Sequence, residues 1–182
     1  IVYRYGKAIN DPVMQQFGAY LARLNKWGDN PLGGKIGDQI KNLGLISEIR
    51  QAESREALVA DFWFPDTEIA GARDQEGRFK GFFFGAKGGF NAESHNHNDI
   101  GTCLMYFDGK PCLIDLGREE YVAKTFSSRR YEIWTMQSGY HNLPVINGTD
   151  QNAGAKYKAQ NSTFTANAKM ATFSTEIAGA YP

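Results

Sequence analysis

The chain has little of what most catalytic and binding signatures are built from. It contains three histidines and two cysteines in 182 residues, and its twenty acidic side chains balance its twenty basic ones. Zero formal charge withholds the basic excess that a nucleic-acid surface needs. It leaves an acidic substrate open, because a local basic cleft can coexist with overall neutrality. No apolar run reaches membrane length, so membrane insertion is not expected, and no signal peptide is present. The first residue is Ile rather than Met, which reads as an internal fragment, so missing targeting signals exclude nothing. The glycine-rich stretch Gly33-Gly34 to Gly37 lacks both a preceding strand and the Gly-Lys-Ser/Thr ending of a phosphate loop, and it reads as a connector. Nothing in the first fifty or so residues resembles a catalytic constellation.

What is present is concentrated. Two of the three histidines stand one residue apart in Ser94-His95-Asn96-His97-Asn98-Asp99, and the third, His141, follows the next run of expected strands. In an extended segment residues i and i+2 share a side, so His95 and His97 are expected to face one site. Cys103 to Phe107 is an uncharged apolar run that reads as a buried strand. Asp108-Gly109 is the signature of a two-residue hairpin turn, since both central positions favour positive φ. Lys110 to Asp115 returns as the partner strand. This register sets Phe107 opposite Lys110, Met105 opposite Cys112, Cys103 opposite Ile114 and Thr102 opposite Asp115. It brings a carboxylate to the loop that carries two imidazoles, a donor set suited to zinc or a similar borderline metal. The plainer reading of the same residues is a hydrogen-bonded histidine pair and a turn-forming aspartate. In this register Cys103 and Cys112 lie diagonally on one face, too far apart for relaxed disulfide geometry, and both read as buried free thiols. Extended further, the register puts Asp99 opposite Arg118, in a position to pin the histidine loop through a bidentate ion pair.

Length and composition fit one to two packed domains, and twenty glycines favour a turn-rich β architecture. A helix is expected from Pro12, capped by Asp11 or Asn10, with Val13, Phe17, Tyr20, Leu21 and Leu24 at helical spacing and a break at 27–31. Residues 38–46 suit a short helix or turn. From Ala57 the texture changes to short strands: 57–64, 69–73, 79–85, the hairpin, then 156–158, 162–166 and 171–177. A turn lies at 145–148, and 121–126 and 130–136 have no clear pattern. The expected fold is mainly β, an antiparallel β-sandwich over 56–182 preceded by a helical leader over 1–55, with the sandwich cut short at its C-terminus.

The ordered segments resemble the heparinase II/III-like family of polysaccharide lyases. The segments that carry the resemblance are Phe64-Pro65-Asp66; Gly88-Gly89 leading into Ser94 to Gly101; Tyr106 to Pro111 with Ile114-Asp115-Leu116-Gly117; and Tyr140-His141-Asn142 before Val145 to Gly148. The resemblance implies an α/α toroid ahead of an antiparallel β-sandwich, the leader being the toroid's last part, with the active site between them. It implies a metal, usually zinc, held by His97, Asp115 and His141, and a cleft-lining catalytic role for His95. The residues around His141, Tyr140-His141-Asn142-Leu143, depart from the family's more usual Ser-His-Asn-Thr.

The implied activity is β-elimination on an acidic, uronic-acid-containing polysaccharide, glycosaminoglycan- or alginate-like. It belongs to the full-length form, in a periplasmic or secreted bacterial setting, and the tyrosine acid/base comes from the toroid. The alternative is a non-catalytic, metal-stabilised structural or carbohydrate-binding sandwich. A cupin-like metal enzyme ranks last, because it wants a Glu three to five residues beyond the second histidine and 98–102 contain none.

Overall fold

The computed structural model describes residues 1–27 and 36–182, so the expected helix break at 28–31 and the connector glycines Gly33 and Gly34 lie outside the described residues. The chain forms two compact units, Ile1–Leu58 and Val59–Pro182.

The first unit is helical. Helices α1 (Val2–Ala8) and α2 (Pro12–Leu24) are followed by α3 (Ile36–Leu43) and α4 (Ile46–Gln51). Asp11 caps α2, its side chain accepting from the Met14 N–H at 2.9 Å, and Pro12 takes the first turn, where its missing N–H costs nothing. Tyr3, Ala19 and Ile49 form a small core, with Ala22, Trp27, Leu45 and Ala52 packed around it. Gly37 stands within α3 and not in a connector. Among the described residues no helix is long and apolar enough to cross a membrane.

The strands of the second unit are all paired antiparallel. Strands β1 (Asp61–Phe64), β2 (Ile69–Arg73), β3 (Phe82–Lys87), β5 (Cys103–Phe107) and β6 (Lys110–Leu113) make a five-stranded sheet in the order β1-β2-β3-β5-β6. The short β4 (Phe90–Asn91) pairs with β7 (Gly154–Lys158), and β8 (Gln160–Ala166) pairs with β9 (Ala171–Glu176). Trp63 of the large sheet packs against Phe164 of β8 and Phe173 of β9, ring centroids 6.2 and 5.8 Å apart. These contacts make a sandwich layer, and the expected mainly β, antiparallel class is the observed one. Residues 57–60 stay outside β1, and 123–140 form a series of 3-10 turns.

The central hairpin turns at Asp108-Gly109 with φ of 49° and 72°, as a two-residue turn of this sequence requires. Phe107 pairs with Lys110 and Tyr106 with Pro111, but Met105 then pairs with Leu113. Cys112 is the extra residue of a β-bulge, so the expected register is wrong by one beyond it: Cys112 does not face Met105, and it is exposed where a buried thiol was expected. The cause is local. Pro111 has no N–H to give a ladder, and β6 is the sheet's edge, where such irregularities are tolerated. Both cysteines are free, as expected.

A second core cluster, Ile100, Ala159, Ala180 and Tyr181 with Ile146 and Ile177 against it, anchors the histidine loop immediately after Asp99.

Candidate functional site

The site is built on the loop between β3 and β5. Gly88 and Gly89 turn the chain out of β3, and Glu68 holds that turn. Its carbonyl accepts from the Gly88 N–H and its carboxylate from the Gly89 N–H, each at 2.8 Å. A Cβ at Gly88 would stand 2.3 Å from that carboxylate and displace it, and Gly89 holds φ 81°, in the left-handed region that favours glycine. Asn96, Asn98 and Asp99 are buried, while His95 is exposed and His97 half-buried.

His95 has φ 61°, in the left-handed region. Such a residue breaks the extended alternation that would put His95 and His97 on one side, and the structure separates the two rings. His95 lies against Tyr121 and Phe126, centroids 6.1 and 5.9 Å away, while His97 packs against His141 at 5.2 Å.

His97, Asp115 and His141 come together. The His141 side chain is fully buried, with Nδ1 2.7 Å from Asp115 Oδ1 and Nε2 3.1 Å from the Thr135 carbonyl. Because a carbonyl only accepts, Nε2 carries a proton and donates it. Thr102 Oγ1 reaches the same Asp115 oxygen at 3.3 Å, so Thr102 and Asp115 meet despite the slipped register. One amide makes up for the ladder that the bulge removed: Asn142 Nδ2 donates to the carbonyls of Cys103 and Ile114, both at 2.8 Å. Tyr140, the departure from the family's usual residue, points to the surface against Trp134, 5.2 Å between centroids, while its neighbour His141 turns inward.

Electrostatics separates the two imidazoles. Burial lowers the His97 pKa, assisted by His141 and Arg130, and the opposing charges of Asp99 and Asp115 do not reverse it. Burial also works to lower that of His141, but there the hydrogen bond and charge of Asp115, with Asp99 and the Thr135 carbonyl, outweigh it and the pKa rises. Asp115 is pushed up by burial and pulled further down by His141, Leu116 and Thr102, for a net fall. Together these favour the neutral form of His97 and the ionic form of the His141–Asp115 pair.

The Asp99–Arg118 pair does not form. Asp99 Oδ1 binds Lys87 Nζ at 2.7 Å, and the Arg118 guanidinium lies 4.9 Å over the Tyr121 ring. The ladder ends at Leu113, so no register carries position 118 back to position 99.

Among the described residues no group of three His, Cys, Asp or Glu side chains is arranged to hold a metal as it stands. The donor chemistry nevertheless fits one. Two imidazoles and a carboxylate suit a borderline ion, and His141 already donates its far N–H to a backbone carbonyl, the usual orienting bond of a metal-ligating histidine. His141 Nδ1 and Asp115 Oδ1 now bond to each other, and their shared proton would have to leave for a metal to take its place.

Several supporting residues carried no sequence signal. Arg130 donates to the Asn96 carbonyl through Nε at 3.2 Å and Nη2 at 2.8 Å, and to the Thr125 carbonyl at 2.9 Å. Gln151, buried, accepts from the Ile100 N–H at 3.0 Å and donates back to its carbonyl at 2.7 Å. Its own N–H donates to Ser138 Oγ at 2.8 Å, which ties the histidine loop to the segment entering His141.

Residues 58–180 match the family model described as heparinase II/III-like, C-terminal, and the chain belongs to that family. No curated protein matches the chain.

Proposed function

We propose that this chain is part of a polysaccharide lyase that cleaves a uronic-acid-containing polymer, glycosaminoglycan- or alginate-like, by β-elimination. Family membership supports a polysaccharide lyase in the full-length form. The observation that carries the finer reading is the separation of the histidines, His95 exposed on an aromatic face and His97 withdrawn to His141.

In the reaction the proton α to the sugar carboxylate leaves to a base, the bond from C4 to the linking oxygen breaks, and a C4–C5 double bond forms. The departing oxygen takes up a proton. His95 is the catalytic residue this chain contributes, an imidazole whose ring nitrogens can donate or accept a proton. Tyr121 and Phe126 offer a sugar ring a stacking face, and Arg118 brings a positive charge to the same edge for the carboxylate. His97, Asp115 and His141 would hold zinc or another divalent ion. The ion would brace the loops, since elimination needs no hydrolytic nucleophile.

The test is an assay of the full-length parent on uronic-acid polymers, following the ultraviolet absorbance of the conjugated unsaturated product. Absorbance that grows with wild type and not with His95→Ala is expected. Binding of the polymer without turnover would favour the non-catalytic sandwich, and shortened chains without unsaturation would mean hydrolysis.

A further inference from the structure

The β3–β5 loop is closed by one residue. Lys87 ends β3, its N–H donates to the Thr102 carbonyl at 3.1 Å and its carbonyl accepts from the Gly101 N–H at 2.8 Å. Both backbone groups thus clasp the far end of the loop that carries His95 and His97. Its side chain then reaches into that loop. Nζ lies 2.7 Å from Asp99 Oδ1 and 3.3 Å from Glu93 Oε2, with only 17% of the side chain exposed. Glu93 precedes His95 by two residues and Asp99 follows His97 by two, so the two ion pairs bracket both histidines.

We infer that Lys87 is a positioning residue that sets the geometry of the histidine loop by tying Glu93 to Asp99 across it. The inference rests on the reading of His97 as a metal ligand and His95 as the catalytic residue. The physical case comes from burial. Surface ion pairs add little, but these three groups are largely withdrawn from water, where screening is weak and an unpaired charge is costly. A point charge with three donors suits this place, because it must meet two carboxylates that approach from different parts of the loop. His95 holds a left-handed backbone conformation between the bracketed ends, and such a conformation persists only where its surroundings over-determine it. The ammonium already faces two carboxylates, which makes it a support and not an acid or base.

The experiment uses the full chain carrying Lys87→Met, which keeps the apolar stem and removes the charge, beside Lys87→Arg, Asp99→Asn and the Lys87→Met/Asp99→Asn double variant. Three properties are read: zinc affinity by chelator competition, the visible bands of the cobalt-substituted protein, and amide exchange across 93–99. Lys87→Met should weaken zinc about tenfold, the lower end for a residue supporting metal ligands. It should also shift the cobalt bands and speed exchange at 93–99 but not in β8 and β9. Lys87→Arg should recover most of the affinity, and adding Lys87→Met to Asp99→Asn should cost far less than adding it to wild type. Zinc affinity and exchange within twofold of wild type would overturn the inference, and so would fully additive effects. If wild type binds no metal, the proposed metal site fails and exchange alone judges Lys87: faster exchange at 93–99 upholds it, unchanged exchange ends it. Should Lys87→Met not fold, Glu93→Gln removes one arm of the bracket, and faster exchange at 93–95 upholds the inference while no change overturns it.

Discussion

Asp115 Oδ1 stands 2.7 Å from Nδ1 of His141, across twenty-six positions of sequence. The pair closes the sheet end over the histidine loop, and it does so in a form that depends on protons. The folded pKa of His141 is raised: burial works against this, but the bond and charge of Asp115 prevail, so its contribution is complete below the unfolded value and is lost as pH rises through the folded one. Asp115 is depressed, burial notwithstanding, by His141 and its other donors, so its contribution is present above the unfolded value and is lost as pH falls through the folded one.

For the metal-free chain the pair is therefore strongest between roughly pH 4 and 6.5, the span between the unfolded values of the two groups. The melting-temperature difference between wild type and Asp115→Asn should peak in that window and shrink on both sides. A difference that grows steadily to pH 9 would show that the pair is not ionic.

Metal should behave in the opposite sense on the alkaline side. Zinc competes with the proton on His141 Nδ1, so the stabilisation it gives should increase as pH rises through that group's titration. One divalent ion per chain is expected by elemental analysis, with loss of it in His97→Ala, Asp115→Ala and His141→Ala. Thermal melts with and without chelator, at pH 6 and pH 8, check both points. A chelator-insensitive melt at both would remove the metal from the site.

His95 is set apart from those ligands by its contacts with Tyr121 and Phe126. In the full-length parent His95→Ala should lower turnover by roughly two orders of magnitude, the scale of acid–base assistance, with metal content unchanged. Loss of metal together with activity would place His95 among the ligands.

The sequence made the hairpin legible because Asp108-Gly109 has a conformational requirement that few dipeptides meet. It did not reveal the bulge at Cys112, because Pro111 disturbs a ladder only according to which side of the strand is an edge. The spacing brought Asp115 toward the histidine loop and the resemblance named His97 and His141 with it; the contacts of His141 with Asp115 and His97 fit that reading, and the separation of His95 was not legible. It depends on a positive φ that an imidazole in a polar loop does not announce. Lys87, Arg130 and Gln151 were silent for a further reason. Their partners are mostly backbone carbonyls or residues distant in sequence, and such pairings follow from tertiary packing, not from any local pattern.

Gln151 gives that point a measurable form. Gln151→Ala leaves the N–H and carbonyl of Ile100 short of a partner in the interior, while the Asn91 amide keeps its bond to the Asn152 carbonyl. Each buried group so orphaned costs about 1–3 kcal/mol, and for the two Ile100 groups a total loss of roughly 2–6 kcal/mol is expected in urea unfolding. A loss under about 0.5 kcal/mol would mean that water reaches these groups.

Arg118 and Tyr121 separate charge from stacking. As the α-proton leaves the uronate, negative charge builds on the carboxylate, so a guanidinium at that edge gains most in the transition state. On the proposed reading Tyr121 stacks on the sugar ring, a contact that would be much the same before and during the reaction. Arg118→Gln in the full-length parent should therefore lower kcat by about a hundredfold. Tyr121→Ala should mainly raise KM, by about tenfold, the loss of one stacking contact. Tyr121→Phe should stay near wild type, because the ring and not the hydroxyl carries the contact with Arg118. Steady-state kinetics on a defined uronic-acid oligosaccharide resolves the two parameters. If Arg118→Gln leaves both within twofold of wild type, the carboxylate is met elsewhere and the aromatic edge beside His95 is not where the uronate sits.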